Sequence, residues 1–135
     1  MEYFNLDRDS IVFCVTATTF PEGVLAAHET LHSFISHDPN RNYYGISYSD
    51  KKGKIVYKAA ATELITNELR KHSLELFTIK KGAYICITVI NFRNAIHKIG
   101  DSFASLLLHP DIDPNGYCLE WYINQEDCKC MVKLK

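Results

Sequence analysis

One acidic residue stands out because it lies inside an apolar strand-like run. Glu120 is placed in Tyr117-Cys118-Leu119-Glu120-Trp121-Tyr122, where its neighbours are apolar or aromatic. A carboxylate in such a run costs free energy to desolvate unless water or a partner stabilises its charge. Glu120 is therefore interpreted either as a solvated or ion-paired strand residue, or as the anionic anchor of a binding site. In such a site, aromatic ring faces would add cation–π attraction for an organic cation.

A second chemical pattern is His28-Glu29-Thr30-Leu31-His32, which matches the metalloprotease motif H-E-x-x-H. On a helix, two histidines four residues apart can bind one zinc ion beside a glutamate that acts as general base. The positions where an extended zincin motif needs glycine and histidine hold Ile35 and Asp38. We expect His28 and His32 to flank the apolar face of a structural helix. A zinc hydrolase is the lesser alternative, and no cofactor is predicted.

Other catalytic patterns find no support in the chain. It contains no G-x-S-x-G nucleophile turn and no glycine-rich phosphate loop. Its five cysteines are odd in number, lie in strand-like stretches and follow no secretion signal. They are predicted to be reduced thiols of a cytoplasmic protein.

Charge and composition exclude several classes of function. Fifteen basic residues face sixteen acidic ones, for a formal charge of −1, and 47% of residues are hydrophobic. This balance offers no electrostatic basis for direct nucleic acid contact or for binding to an anionic membrane surface. The apolar runs are also shorter than the ~20 residues that a transmembrane helix needs.

The elements that must position Glu120 occur twice along the chain. The first series is a strand at 10–18, a helix at 22–36 and a hairpin at 43–60. The second is a strand region at 76–90 broken at Lys80-Lys81-Gly82, a helix at 94–109 and a hairpin at 117–134. A shift of 72 places Phe20 on Phe92, and a shift of 73 places Tyr48 on Trp121. The agreement in order and register predicts a duplication.

The duplication predicts an α+β fold. Each half is β-α-β-β, and together they give an antiparallel sheet with two main helices on one face and a central ligand cleft. A single domain is expected over 1–135, with halves at about 8–60 and 76–134. Helical periodicity at 62–72 predicts a short linking helix.

Strand alternation assigns side chains to faces. In the second hairpin, an apolar set is predicted to pack beneath the helix: Tyr117, Leu119, Trp121 and Ile123. The corresponding set in the first hairpin is Tyr44, Ile46 and Tyr48. Glu120 and Tyr122 would then lie on the uncovered face, where the first half has Ser47 in place of the acid.

Three stretches resemble GyrI-like domains, the effector-binding domains of certain bacterial transcription regulators and multidrug-responsive proteins. Thr78-Ile79-Lys80-Lys81-Gly82-Ala83-Tyr84 is similar to the I-P-x-G-x-Y stretch that opens the family's second half, with Lys80 in place of the usual proline. The helix from Asn94 follows at the expected distance. The run from Pro114 to Tyr122 resembles the family's closing strand, with its E-x-Y signature at Glu120 and Tyr122.

The resemblance implies a function for this chain. The matching carboxylate contacts cationic, often aromatic ligands in the family, so Glu120 is the expected anchor. Because strand-like sequence begins near Ser10, the resemblance implies a stand-alone binding domain. Its expected role is linked to transcription regulation or to a drug or toxin response. Some stand-alone members of the family are hydrolases that use this glutamate, so the resemblance also allows this chain to be an enzyme.

The sequence therefore predicts a small-molecule binding site and its residues. Besides Glu120, the predicted ligand-binding residues are aromatic: Tyr122, Trp121, Tyr84, Tyr43, Tyr57 and Phe92. The expected partner is a small organic molecule, with a cationic one favoured. A hydrolase that uses Glu120 as general acid or base stays open, as does an interaction module that binds a protein, or a second copy, through a strand edge.

Overall fold

Two units make up the chain in the computed structural model, which describes residues 1–135. Unit 1 combines Met1–Asp9 with Lys80–Lys135, and unit 2 is Ser10–Ile79. In chain order the elements are β1 (Glu2–Leu6), β2 (Ser10–Thr16), α1 (Val24–Phe34), β3 (Tyr43–Ser49), β4 (Ile55–Ala61), β5 (Glu75–Ile79), β6 (Gly82–Val89), α2 (His97–Leu106), β7 (Cys118–Tyr122) and β8 (Cys128–Lys133). The predicted α+β class is confirmed.

Unit 1 is a four-stranded antiparallel arrangement with one helix. Its strands are ordered β1-β6-β8-β7. α2 packs across β6 and β8, and Leu106 of the helix is fully buried there. The buried core beneath it consists of Ile85, Val89, Phe92, Leu106, Cys128, Cys130, Val132 and Leu134. These core positions alternate along β6 and β8, as strands with one face toward a helix require.

Unit 2 has the matching arrangement, with strands ordered β3-β4-β2-β5. α1 packs on β2 and β4 through its buried positions Ala27 and Leu31, and Ile35, directly after the helix, is also buried. They meet Phe13, Ala59, Ala61 and Leu69. Small alanines on β4 allow the helix to approach the strands closely. No helix of the chain has the length and apolar character needed to cross a bilayer.

Most of the predicted elements are present. Both helices lie within their predicted ranges, and both hairpins form. The predicted break at Lys80-Lys81-Gly82 separates β5 from β6, and Gly82 adopts a φ of +126°, a region that side chains with a Cβ rarely enter. There are more strands than predicted, because β1 precedes the expected first strand.

The predicted linking helix over 62–72 is wrong, because only Arg70–His72 forms one short 3-10 turn. Acidic side chains replace helical hydrogen bonds in this segment. Glu68 accepts the N–H of Leu64 at 2.9 Å, and Glu63 accepts that of Leu69 at 2.9 Å. Asn67 is left-handed, with a φ of 67°, which ends any regular helix there.

The prediction of which strand face lies beneath each helix is also wrong. Cys118 and Tyr122 pack against the core under α2, so Trp121 and Leu119 lie on the opposite face of β7. In unit 2, Tyr43 packs in the cluster under α1, and Tyr44, Ile46 and Tyr48 alternate with it. The alternation of apolar side chains indicated the wrong face because Leu119 and Ile46 are buried although they face away from the helix of their own unit.

The helix contacts predict a clear stability contrast. Leu31→Ala and Leu106→Ala remove side chains that are fully buried, and each should lower the free energy of unfolding by about 2–5 kcal/mol. Leu25→Ala and Leu107→Ala, at positions that are 69% and 52% exposed, are the controls and should stay within about 0.5 kcal/mol of wild type. Urea denaturation measures all four, and equal losses for buried and exposed leucines would contradict these packing assignments.

Candidate functional site

Glu120 and Tyr122 lie on the face of unit 1 that carries α2. β7 pairs with β8 so that Glu120 stands opposite Cys130 and Tyr122 opposite Cys128. The Tyr122 hydroxyl donates a hydrogen bond to Oε1 of Glu120. A charge-assisted bond of this kind stabilises the ionised carboxylate and restricts its orientation. Both side chains are half-buried, so the pair combines partial desolvation with a fixed hydrogen-bond donor.

Two cysteines of β8 lie opposite the Glu120–Tyr122 pair. Cys128 and Cys130 are fully buried, and all five cysteines of the chain are free thiols. A hydrogen bond to Cys130, burial, and the negative charge of Glu120 hold the pKa of the Cys128 thiol well above its usual range. A thiol in that state is a poor nucleophile. The Cys128 thiol opposite Tyr122 is therefore uncharged and does not compensate the charge of the carboxylate.

Phe92 joins this group from the segment that follows β6. Its ring centroid lies 5.5 Å from that of Tyr122, at an interplanar angle of 37°. The backbone N–H of Phe92 donates to Glu126 at 2.9 Å, and Arg93 Nε donates to the carbonyl of Gln125 at 2.9 Å. These bonds tie the segment to the β7–β8 turn. The Arg93 guanidinium also lies 5.3 Å from the Phe92 ring centroid.

Trp121 and Tyr84 lie on the other face of unit 1. The Trp121 ring packs edge-on against Phe4 at 5.9 Å, and Lys129 Nζ lies 5.9 Å from the Trp121 ring. Tyr84 is fully buried, and its hydroxyl bonds to Tyr117 at 2.6 Å and donates to the carbonyl of Lys80 at 2.6 Å. The predicted ligand-binding residues of unit 1 therefore lie on two faces. Glu120, Tyr122 and Phe92 share the face that carries α2, and Trp121 and Tyr84 share the other.

Tyr57 belongs to unit 2, where it contacts α1. Nε2 of His28 and the Tyr57 hydroxyl are hydrogen-bonded at 2.8 Å, and Phe20 stacks on the Tyr57 ring at 5.9 Å. Burial, followed by the nearby charge of His32, lowers the pKa of His28 to about 4. His28 is therefore neutral at pH 7. Phe20 was not among the predicted site residues, although the register that aligns it with Phe92 could have indicated it. His28 was considered only as a zinc ligand, and its hydrogen bond to Tyr57 was not predicted.

Tyr43 lies between two histidines of unit 2. Its ring centroid is 5.1 Å from that of His32 and 5.5 Å from that of His37, and its hydroxyl accepts the N–H of Asp38 at 3.0 Å. The pKa of His32 is lowered by burial and by the charges of His37 and Arg41. Tyr43 and Tyr57 are thus held by separate partners within unit 2, and their ligand-binding roles stay predictions.

The H-E-x-x-H motif lies on α1 as expected, with each histidine against a tyrosine. His28 bonds to Tyr57, and the ring of His32 lies against Tyr43. No group of three His, Cys, Asp or Glu side chains is arranged to hold a metal ion. A zincin needs a third protein ligand, so the zinc-hydrolase alternative gains nothing from this geometry.

Several solved structures share this fold. An integron cassette protein from the mobile metagenome of Vibrio cholerae matches with a TM-score of 0.65 and 12% identity over 100% of both chains. Two structures described as hydrolases from Listeria innocua match at TM-scores of 0.56 and 0.55, with 9% and 10% identity, over 99% of this chain and 90% and 91% of theirs. No family model and no curated protein matches the chain. At such identities the likeness shows the fold alone.

The half-buried side chain of His28 makes stability depend on pH. Folded His28 resists protonation down to about pH 4, whereas the unfolded residue takes up a proton near 6.5. The unfolded state therefore binds more protons between these values, and stability present above pH 6.5 is lost as the pH falls toward 4. The loss should reach roughly 3 kcal/mol at most.

Denaturation of wild type and His28→Gln at several pH values measures this effect. The variant keeps a hydrogen-bonding group beside Tyr57 but does not titrate, so its stability should fall less between pH 6.5 and 4. His32→Gln is the matched variant one turn along α1 and should remove a smaller part of the dependence, since His32 is more exposed. An unchanged pH dependence in His28→Gln would show that His28 is not held neutral by the fold.

Proposed function

We propose that this chain is a GyrI-like effector-binding protein that takes up small cationic aromatic molecules with Glu120 as its anchor. The observation that carries the proposal is the Tyr122–Glu120 hydrogen bond, on the helix-bearing face of unit 1 and beside the Phe92 ring. The E-x-Y signature and the closing-strand resemblance support the same assignment.

The chemistry of this group favours an organic cation over a metal ion. A single carboxylate with a tyrosine donor provides too few ligands for a divalent metal, which takes four to eight. A delocalised organic cation is weakly hydrated, so the counter-charge of Glu120 and the half-buried ring of Tyr122 can offset part of its desolvation. The hydrogen bond that Tyr122 donates restricts the orientation of the Glu120 carboxylate, so a cation would meet an anchor that is already positioned.

A role in transcription regulation or in a drug or toxin response follows from the family resemblance. With a formal charge of −1, the chain is expected to act without direct nucleic acid contact. Any effect on transcription would therefore pass through a protein partner or through sequestration of the small molecule. A cytoplasmic location remains part of this proposal.

Thermal shift with a cationic xanthene dye tests the proposed site. At a dye concentration of 100 times Kd, binding should stabilise the wild-type protein by about 2.7 kcal/mol and raise Tm by several degrees. Glu120→Gln keeps the size and the hydrogen-bonding capacity of the side chain but removes its charge, so most of the shift should disappear. Tyr122→Phe should reduce the shift partially, because it removes only the donor that orients the carboxylate.

Glu126→Gln is the matched control, since it removes one exposed carboxylate from the neighbouring β7–β8 turn. It should leave the dye-induced shift unchanged, which separates the effect of Glu120 from a change in net charge. If wild type, Glu120→Gln and Glu126→Gln respond alike, the dye binds elsewhere and the proposal for Glu120 is wrong.

A hydrolase that uses the same carboxylate is the second candidate. Two Listeria innocua structures of this fold are described as hydrolases. Glu120 could act as a general base toward water, with Tyr122 as the group that orients it. Incubation of the protein with an ester of the dye separates the two functions, because only a hydrolase consumes the ester over time. Turnover that Glu120→Gln abolishes would place hydrolysis ahead of simple binding.

A further inference from the structure

The duplication extends to two strands that lead the two halves. β1 reads Glu-Tyr-Phe-Asn-Leu and β5 reads Glu-Leu-Phe-Thr-Ile, at a shift of 73. β1 pairs with β6 of unit 1, and β5 pairs with β2 of unit 2. The registers correspond, because Glu2 stands opposite Cys86 and Glu75 opposite Cys14. Each half of the sequence therefore has its leading strand in the unit that contains the other half's helix.

In unit 2, two side chains from the neighbouring strands bind a carboxylate of the leading strand. Lys58 Nζ of β4 lies 2.5 Å from Oε2 of Glu75 on β5, and donates to Oγ1 of Thr16 on β2 at 2.9 Å. Thr16 in turn donates to Oε1 of Glu75 at 2.9 Å. Lys58 is only 8% exposed, so its ammonium would be costly to bury without these partners.

Unit 1 contains an equivalent group of one Lys, one Glu and one Thr. Lys129 Nζ of β8 lies 3.4 Å from Oε1 of Glu2 on β1, and Thr88 of β6 donates to that oxygen at 3.5 Å. Lys58 and Lys129 occupy equivalent positions of the two ladders, since each stands opposite the threonine of the neighbouring strand. We call each Lys-Glu-Thr group a strand clamp.

Aromatic pairs accompany both clamps. Phe4 of β1 contacts Trp121 at 5.9 Å, and Phe77 of β5 stacks with Tyr48 at 6.3 Å. In unit 1 the Lys129 ammonium lies 5.1 Å from the Phe4 ring centroid. The two halves differ strongly in sequence, yet both have Lys, Glu, Thr and Phe at these positions. This agreement indicates that the clamps meet the same structural requirement in both halves.

The two clamps differ in tightness. All contacts in the unit 2 clamp are 2.9 Å or shorter, whereas both contacts of Glu2 are 3.4 Å or longer. Protein hydrogen bonds usually have donor–acceptor distances of about 2.5–3.2 Å, so both contacts of Glu2 are long. The Lys58–Glu75 hydrogen bond also lowers the pKa of Glu75, as expected of a close pair.

We propose that each strand clamp holds the leading strand of its half in place. Because the clamp at Glu2 has the longer contacts, β1 separates from β6 before the rest of the fold opens. Opening would release Phe4 from Trp121 and uncover the edge of β6 from Gly82 to Cys86, where β1 is paired. β5 stays in place, because its clamp is tight. Separation of β1 is thus a local opening of unit 1, and its free-energy cost is well below that of global unfolding.

Hydrogen exchange of the full chain, read by mass spectrometry over β1 and β5, tests this proposal. In wild type, β1 amides should exchange faster than β5 amides. Lys129→Met should speed exchange in β1 about tenfold and leave β5 unchanged, because one charge-assisted interaction is lost. Lys58→Met should do the reverse. Lys133→Met is the control on β8, since Lys133 Nζ donates to the Leu134 carbonyl and contacts no leading-strand carboxylate.

Glu2→Gln and Glu75→Gln keep the test decisive if a lysine variant fails to fold, because both carboxylates are more than half exposed. Glu2→Gln should speed exchange in β1 alone, and Glu75→Gln in β5 alone. Wild-type β1 that exchanges as slowly as β5 would overturn the proposal. So would clamp variants that speed exchange equally in β3, β4, β7 and β8, since that pattern reports a general loss of stability.

Discussion

The register of the β7–β8 ladder is the constraint on which the proposed binding site at Glu120 depends. Side chains alternate between the two faces of a strand, so a slip of one residue would exchange Glu120 for Trp121. The observed register places Glu120 opposite Cys130 and Tyr122 opposite Cys128. The same register brings both cysteines into the core under α2. Packing of unit 1 and presentation of the carboxylate are therefore settled by one set of backbone hydrogen bonds.

The sequence is sufficient to predict most elements but not the face that each helix covers. Helices and hairpins follow from periodicity and turn residues, which act locally. Leu119 and Trp121 look like the better core residues beside Glu120, yet Cys118 and Tyr122 face α2. Alternation cannot choose between two faces that both carry apolar side chains. It can place Glu120 and Tyr122 together, because that depends only on the period of two residues.

Segments governed by side chain–backbone contacts are the least predictable. The 62–72 segment has helical periodicity, but Glu63 and Glu68 bind its backbone N–H groups and Arg41 pairs with Glu68 at 2.8 Å. β1 was missed because Glu-Tyr-Phe-Asn-Leu is short and resembles β5 only once both strands are known. The two halves keep their clamps and diverge at Glu120, where unit 2 has Ser47. Residues that both halves keep serve the shared fold, whereas Glu120 is specific to unit 1 and carries the proposed binding role.

A comparison of two ligands that differ only in charge tests the central claim most directly. Titration calorimetry of the wild-type protein with a cationic xanthene dye, and with an uncharged analogue of the same ring system, measures the contribution of the ligand's charge. An anchoring carboxylate beside aromatic rings predicts that the cation binds on the order of tenfold more tightly or better. Equal affinities for the two ligands would contradict a charge-based site at Glu120.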